Sequence, residues 1–122
     1  MQIYKNWLQS RNVKFNETPI GIFFAYQGKG FLISDNSDDE LYFQLIMPNI
    51  YDVPAYEKAK AMDVINKLNK EIKCLKATLQ DDNKVWLATE IFIDRTPNIE
   101  DYFDRLLGIL FAGAMKFQLY IQ

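Results

Sequence analysis

The run Ala61-Met-Asp-Val-Ile-Asn-Lys-Leu-Asn-Lys-Glu-Ile-Lys-Cys-Leu-Lys-Ala-Thr-Leu79 changes its period half-way along. Up to Ile72 the apolar residues fall at Ala61, Val64, Ile65, Leu68 and Ile72. That spacing is one continuous stripe of an α-helix. Lys58, Lys60, Lys67 and Lys70 mostly lie off the stripe. Then Leu75, Ala77 and Leu79 alternate with Cys74, Lys76, Thr78 and Gln80, the period of a strand with one covered face. Asp81-Asp-Asn-Lys84 reads as a hairpin loop, and Val85 to Ile93 runs back as the partner strand.

Upstream, Met1 to Ser10 places Ile3, Trp7 and Leu8 at helical spacing. After Thr18-Pro19, the stretch Ile20-Gly-Ile-Phe-Phe-Ala-Tyr26 is rich in β-branched and aromatic residues. Gln27-Gly-Lys-Gly30 is a turn, because its glycines reach positive φ without steric cost. Phe31 to Ser34 and Leu41 to Met47 are two more strands, with Leu41, Phe43, Leu45 and Met47 on one face of the latter. The connections are too short for crossovers, so these three strands form an antiparallel meander. Pro48 and Pro54 bracket a loop. Downstream, Asn98 caps a last helix with Glu100 and Asp101 in its first turn, where the helix dipole favours negative charge. Ile99, Tyr102, Phe103, Leu106, Leu110, Ala114 and Phe117 form its stripe.

The order α-β-β-β-α-β-β-α separates strands and helices into blocks, which makes residues 1–122 a single α+β domain. The expected architecture is a twisted antiparallel sheet of about five strands, with helices mainly on one face. By size scaling a folded chain of this mass exposes roughly 6,800 Å², against roughly 21,000 Å² when extended, so one sizeable core is within reach. Hydrophobic residues are 49% of the chain and aromatics 15%, which excludes disorder as the main state.

Several function classes drop out on composition. Fourteen basic and sixteen acidic side chains leave a net charge of −2, against nucleic-acid binding. There is no histidine, which removes the side chain that titrates near neutrality and the commonest metal ligand. Cys74 is the only cysteine, so there is no internal disulfide and no cysteine-based metal site. It reads as a half-buried small hydrophobe. No basic run precedes an apolar stretch at the N-terminus, and the longest uncharged apolar segment, Leu106 to Met115, is about half a bilayer crossing. A cytoplasmic protein without membrane attachment is expected.

Motifs for chemistry fail on inspection. Gly28-Lys29-Gly30 lacks the earlier glycine (Phe23 stands there) and the following Ser or Thr of a phosphate-cradling loop. Ile33 occupies the third glycine position of a dinucleotide fingerprint. Asp35, Ser37 and Asp39 have calcium-loop spacing, but Glu40 and Ile46 stand where Gly and Glu are required. Asp38-Asp39 and Asp81-Asp82 sit in polar turns that keep them ionised. Glu90, among apolar neighbours, is either a sheet-face glutamate paired with a lysine such as Lys76 or a polar anchor in a binding face. No catalytic residue, metal or cofactor is expected, and the chain is not expected to be an enzyme.

Two features exceed what a compact monomer needs. The last helix is apolar on every side between Leu106 and Met115. Its extra stripe, Leu107, Phe111 and Met115, needs a second cover, with Gly108, Ala112 and Gly113 allowing another backbone close. The helix is either central to its own domain or a homodimer contact. The second feature is the other face of the sheet. If Val85, Leu87, Thr89, Ile91 and Ile93 face the helices, then Trp86, Ala88, Glu90 and Phe92 face away, joined by Tyr42, Gln44 and Ile46 and by Phe23 and Ala25. Phe23, Tyr42, Trp86 and Phe92 would anchor a protein partner there, with Gln44 and Glu90 fixing polar register.

The helix Ala59 to Lys73, the hairpin around Asp81-Asp-Asn and Pro97 before an Asp/Phe/Leu-rich helix resemble the YbjN-like family of sensory-transduction regulators. The resemblance is strongest over Val64-Ile-Asn-Lys-Leu-Asn69. That family is similar in fold to the type III secretion chaperones. It implies a strongly twisted antiparallel sheet with helices against it, and homodimers that hold extended client segments on their sheets. The leading expectation is a non-enzymatic, chaperone-like or regulatory protein-binding module. The alternatives are a small-ligand binder, with Tyr102 and Glu90 around a pocket between sheet and last helix, and an immunity-type inhibitor.

Overall fold

The computed structural model describes residues 1–122. Helix α1 (Gln2–Ser10) leads into strands β1 (Phe15–Thr18), β2 (Gly21–Tyr26), β3 (Lys29–Ser34) and β4 (Tyr42–Asp52). Helix α2 (Lys58–Glu71), strands β5 (Leu75–Leu79) and β6 (Lys84–Phe92), and helix α3 (Phe103–Ile121) complete the chain. The sheet has six strands in the order β1-β2-β3-β4-β6-β5, every neighbour antiparallel. The α+β class, the meander and the hairpin are as expected. One strand is added, β3 takes in Lys29 and Gly30 of the expected turn, and a further strand is lengthened past a proline.

The added strand is β1. Its Phe-Asn-Glu-Thr sequence is mostly exposed and has no apolar alternation. It pairs with β2 through a two-residue turn, Thr18↔Gly21. Gly21 has φ +144°, and a Cβ there would lie 2.1 Å from the carbonyl oxygen of Ile33, so only glycine fits. The lengthened strand is β4. It runs through Pro48, where a loop was expected, because its register against β6 slips between Met47 and Tyr51. Asn49 takes φ +52° in that irregularity. Pro48 is tolerated there because a bulge releases one ladder hydrogen bond.

The helices share one face of the sheet. The main core joins residues of all three helices to inward strand residues, while a second cluster of Leu32, Ile46 and Ala88 contains no helical residue. At the centre of the main core the fully buried Phe103 ring lies 4.3 Å from Trp7, 6.0 Å from Tyr4 and 6.0 Å from Phe43. Tyr4 stacks on Phe43 at 4.6 Å and its hydroxyl bonds that of Tyr102 at 2.8 Å. Trp7 is 4% exposed.

This packing answers the question left by the apolar last helix. Helix α3 is the middle helix of the layer. Its start meets α1 through Trp7 and the Arg11–Asp104 ion pair, and its end meets α2 through Glu71, which accepts from Lys116 and Tyr120. Leu107 is 3% exposed within one copy, and Phe111 packs on Phe31 at 5.5 Å and on Tyr26 at 6.5 Å. Leu107 is therefore internal to one copy and cannot line a dimer stripe, and Phe111 is half-buried against the sheet. Met115 alone of the three is open, at 61%. Gly113 brings α3 close to its own sheet, since a Cβ there would sit 3.1 Å from both Leu75 and Leu87. Gly108 faces open space.

Two details close the α2–β5 corner. Cys74 is exposed with φ +67°, not half-buried, because the chain reverses there between α2 and β5. Asn69 lies along the outer edge of β5. Its Nδ2 donates to the Ala77 carbonyl at 3.0 Å, and the Ala77 N–H donates to its Oδ1 at 2.7 Å.

The two glycines of α3 should respond oppositely to substitution. Gly108→Ala should stabilise by about 0.5–1 kcal/mol, while Gly113→Val should destabilise by about 1–3 kcal/mol through overpacking, both read from urea midpoints. Burial, and then the bond to Tyr102, raise the Tyr4 phenol above its ordinary range. A raised folded value gives stability that is complete below the unfolded pKa of about 10 and declines as pH rises beyond it. Urea midpoints followed into alkali should fall less steeply for Tyr4→Phe than for the parent chain.

Candidate functional site

The face without helices is built by strand alternation. Opposite the buried Val85, Leu87 and Thr89 of β6 stand Trp86, Ala88, Glu90 and Phe92. Opposite Phe43, Leu45 and Met47 of β4 stand Tyr42, Gln44 and Ile46. Leu41, expected on the inner face, lies outside the strand and is exposed. Register then sets one row across the sheet: Asn16, Phe23, Leu32, Ile46, Ala88 and Lys76. Leu32, Ile46 and Ala88 are only 4%, 6% and 7% exposed although no helix covers them. Phe23 and Trp86 flank and shield them. Strands β2 and β6 are three spacings apart, about 14 Å, so the apolar row is wide enough for one helix or extended segment of a partner.

All six residues expected to contact a partner lie on this face. Gln44 and Glu90 are register partners, and the Gln44 amide donates to Glu90 at 3.3 Å. Lys76 reaches Glu90 at 3.0 Å. The Tyr42 hydroxyl, then Lys76 and Gln44, hold the Glu90 carboxyl below the usual carboxylate range, while partial burial opposes them. Both readings of Glu90 thus meet: it is paired with Lys76 and sits inside the aromatic face. Tyr42 and Phe92 are also register partners, with rings 6.2 Å apart. Phe92 is 80% exposed, the most exposed aromatic of the strands.

Sequence reasoning missed two participants. Leu32 belongs to the apolar row, and its signal was the unbroken Phe31-Leu-Ile33 run, which puts apolar groups on both faces. Asn49 has no sequence signal. The bulge of β4 turns it towards the face, where its Oδ1 accepts from Trp86 Nε1 at 2.8 Å and holds the indole down.

The expected ligand pocket does not assemble. Tyr102 belongs to the helix layer beside Tyr4 and Phe43, whereas Glu90 is on the opposite face of the sheet. A recess of about 270 Å³ lies at the end of the sheet, with Met1, Tyr4, Phe43 and the 34–37 turn in its walls. Beside it the loops 35–41 and 93–97 come together around Asp38, Asp39, Glu40, Asp94 and Arg95. No three acidic or thiol groups converge to hold a metal ion. No helix is long and apolar enough to cross a membrane.

The architecture has known counterparts. The chain superposes on the crystal structure of YbjN from E. coli, a protein assigned provisionally as a transcription regulator, with a TM-score of 0.72 and 13% identity over 95% of this chain and 87% of that one. It also superposes on an uncharacterised protein from Methanothermobacter thermautotrophicus, with a TM-score of 0.68 and 14% identity over 99% and 95% of the two chains. No family model and no curated protein sequence matches. The chain therefore has the YbjN-like fold, and at these identities the likeness is one of fold alone.

Glu90 gives this face a measurable pH signature. Its lowered folded pKa contributes stability above the unfolded carboxylate value, and that contribution disappears as pH falls through the folded one. Glu90→Gln should cost less than about 1 kcal/mol at neutral pH, as for exposed pairs, and the gap from the parent chain should narrow as pH falls below the usual carboxylate range, measured by urea midpoints.

Proposed function

We propose that this chain is a non-enzymatic protein-binding module of the adaptor or regulatory kind, which captures a segment of a partner protein on the helix-free face of its sheet. The observation that carries the proposal is the apolar row Phe23, Leu32, Ile46 and Ala88, flanked by Trp86 and continued by the exposed pair Tyr42 and Phe92. A monomeric domain gains nothing from an 80%-exposed strand phenylalanine, whereas aromatic groups in a shallow apolar patch are the usual anchors of a partner site. Gln44 and Glu90 sit beside the row as a bonded polar pair that would fix the register of a partner. The whole accessible surface, 7481 Å², exceeds the roughly 6,800 Å² of an average chain of this mass, which fits an uncovered sheet.

An adaptor of this type needs no cofactor and no nucleophile. A cytoplasmic location is supported by the exposed free thiol of Cys74, which persists best in a reducing compartment. Self-association falls to Met115 and Leu119, the exposed apolar pair on α3.

Substitution on the face should separate binding from folding. Phe23→Ser with Phe92→Ser should abolish capture of partner protein in a pull-down from the source cell and leave the circular dichroism spectrum unchanged. Retained capture would exclude the face. A single stable partner would mark a dedicated inhibitor, and a series of partners a chaperone-like adaptor.

A further inference from the structure

Helix α3 keeps one stripe that the fold does not use. Arg105, Gly108, Ala112, Met115, Leu119 and Gln122 follow one another at intervals of 3, 4, 3, 4 and 3 residues. That is the seam spacing of two helices packed side by side. Ala112 is half-buried and the other five are exposed, Met115 at 61% and Leu119 at 62%. Beyond Arg105 no member of the stripe is charged. Gly108 does not have a positive φ, and a Cβ there would meet nothing. The single chain therefore has no need of a glycine that weakens its longest helix. Arg105 forms none of the five ion pairs, and the last turn of α3 contains no base.

We propose that a second copy of this chain covers the stripe, with the two α3 helices antiparallel about a two-fold axis. An axis midway along the stripe sets Gly108 against the partner's Leu119 and Ala112 against the partner's Met115, and symmetry repeats each contact. Every small residue then receives a large one, so the seam fills evenly. Arg105 comes over the partner's Gln122, beside the last carbonyls of that helix, where a cation is favoured. A parallel pair does the reverse. It opposes Arg105 to the partner's Arg105, leaves a gap at Gly108 and crowds Leu119. Shape and charge thus select both the occupant and its direction. From Gly108 to Leu119 the seam is about 16 Å long. A contact of that length stays below the roughly 1,200 Å² of a tight interface, so the dimer is reversible, with a Kd on the order of 10 μM. All three helices lie on one side of the sheet, so this pairing encloses the helical layers and turns the two helix-free faces outward in opposite directions. One dimer then holds two partner segments. That bivalence rests on the proposed function, whereas the pairing of α3 does not.

Sedimentation equilibrium of the full chain should show its mass rising from 14.3 kDa towards twice that value between about 1 and 300 μM. Met115→Glu with Leu119→Glu should weaken the dimer by about tenfold or more and leave the circular dichroism spectrum unchanged, since both side chains are exposed. Ile20→Glu with Met62→Glu adds the same charge at other exposed apolar sites and should leave the Kd within about twofold. Direction is read by cross-linking in a Cys74→Ser background. A Gly108→Cys chain mixed with a Leu119→Cys chain should be joined by a short bis-maleimide, and neither chain should be joined to its own kind. A parent chain that stays monomeric, equal loss in the two glutamate variants, or either cysteine chain cross-linking to itself would overturn the inference. Phe23→Ser with Phe92→Ser separates the seam from the sheet face, because it should abolish partner capture and leave the dimer intact. A monomeric parent chain that still captures its partner through Phe23 and Phe92 removes the seam and keeps the proposed function. Loss of the dimer in the Phe23→Ser, Phe92→Ser variant alone would put the second copy on the sheet face and overturn both.

Discussion

Phe103 is the ring on which the three-helix layer closes. It opens α3, it is fully buried, and it touches Tyr4 and Trp7 of α1 together with Phe24 and Phe43 of the sheet. This contact pulls the first and last helices, far apart in sequence, onto the same face. With α2 tied to α3 by Glu71, the buried apolar stripes of all three helices are then spent on one side of the sheet. The sheet has no second layer to cover its other side. Its bareness follows from where the helices are anchored, and so does everything said about binding.

The apolar excess of the chain therefore divides unequally. Most of it is structural. Helix α3 is apolar around much of its circumference because it lies between two other helices and over strands, so Leu107 is enclosed where a second subunit was expected. The remainder is on the sheet, where Leu32, Ile46 and Ala88 are covered only by their neighbours and Phe92 by nothing. The location of apolar surface, more than its amount, distinguishes a packing helix from a recognition face. A composition count cannot make that distinction.

What could be read from the residues was whatever repeats. The change of period after Ile72 gave α2 and β5, and alternation in Val85 to Ile93 correctly sorted β6 into inner and outer residues. The six face residues were legible for the same reason, because period-two patterning assigns sides without knowledge of the fold. The failures are all places where one residue meets a tertiary constraint. Strand β1 has no alternation because an edge strand with little burial needs none. Pro48 suggested a loop because a break in the ladder depends on the partner strand, which local sequence does not show. Cys74 looked like a half-buried strand residue until the sharp reversal before β5 placed it outside. Asn49 became part of the site only through that same irregularity in β4.

Asn69 has a consequence for the molecule's neighbours in the cell. By imitating a backbone pair along β5, it occupies the peptide groups of Ala77 that another chain would use to extend the sheet. The opposite margin, β1, is only four residues long. An edge whose central peptide groups are already taken is a poor template for a further strand. Open-ended fibre growth needs two receptive borders, so the Asn69 pair works against it in a chain that leaves an apolar sheet face uncovered.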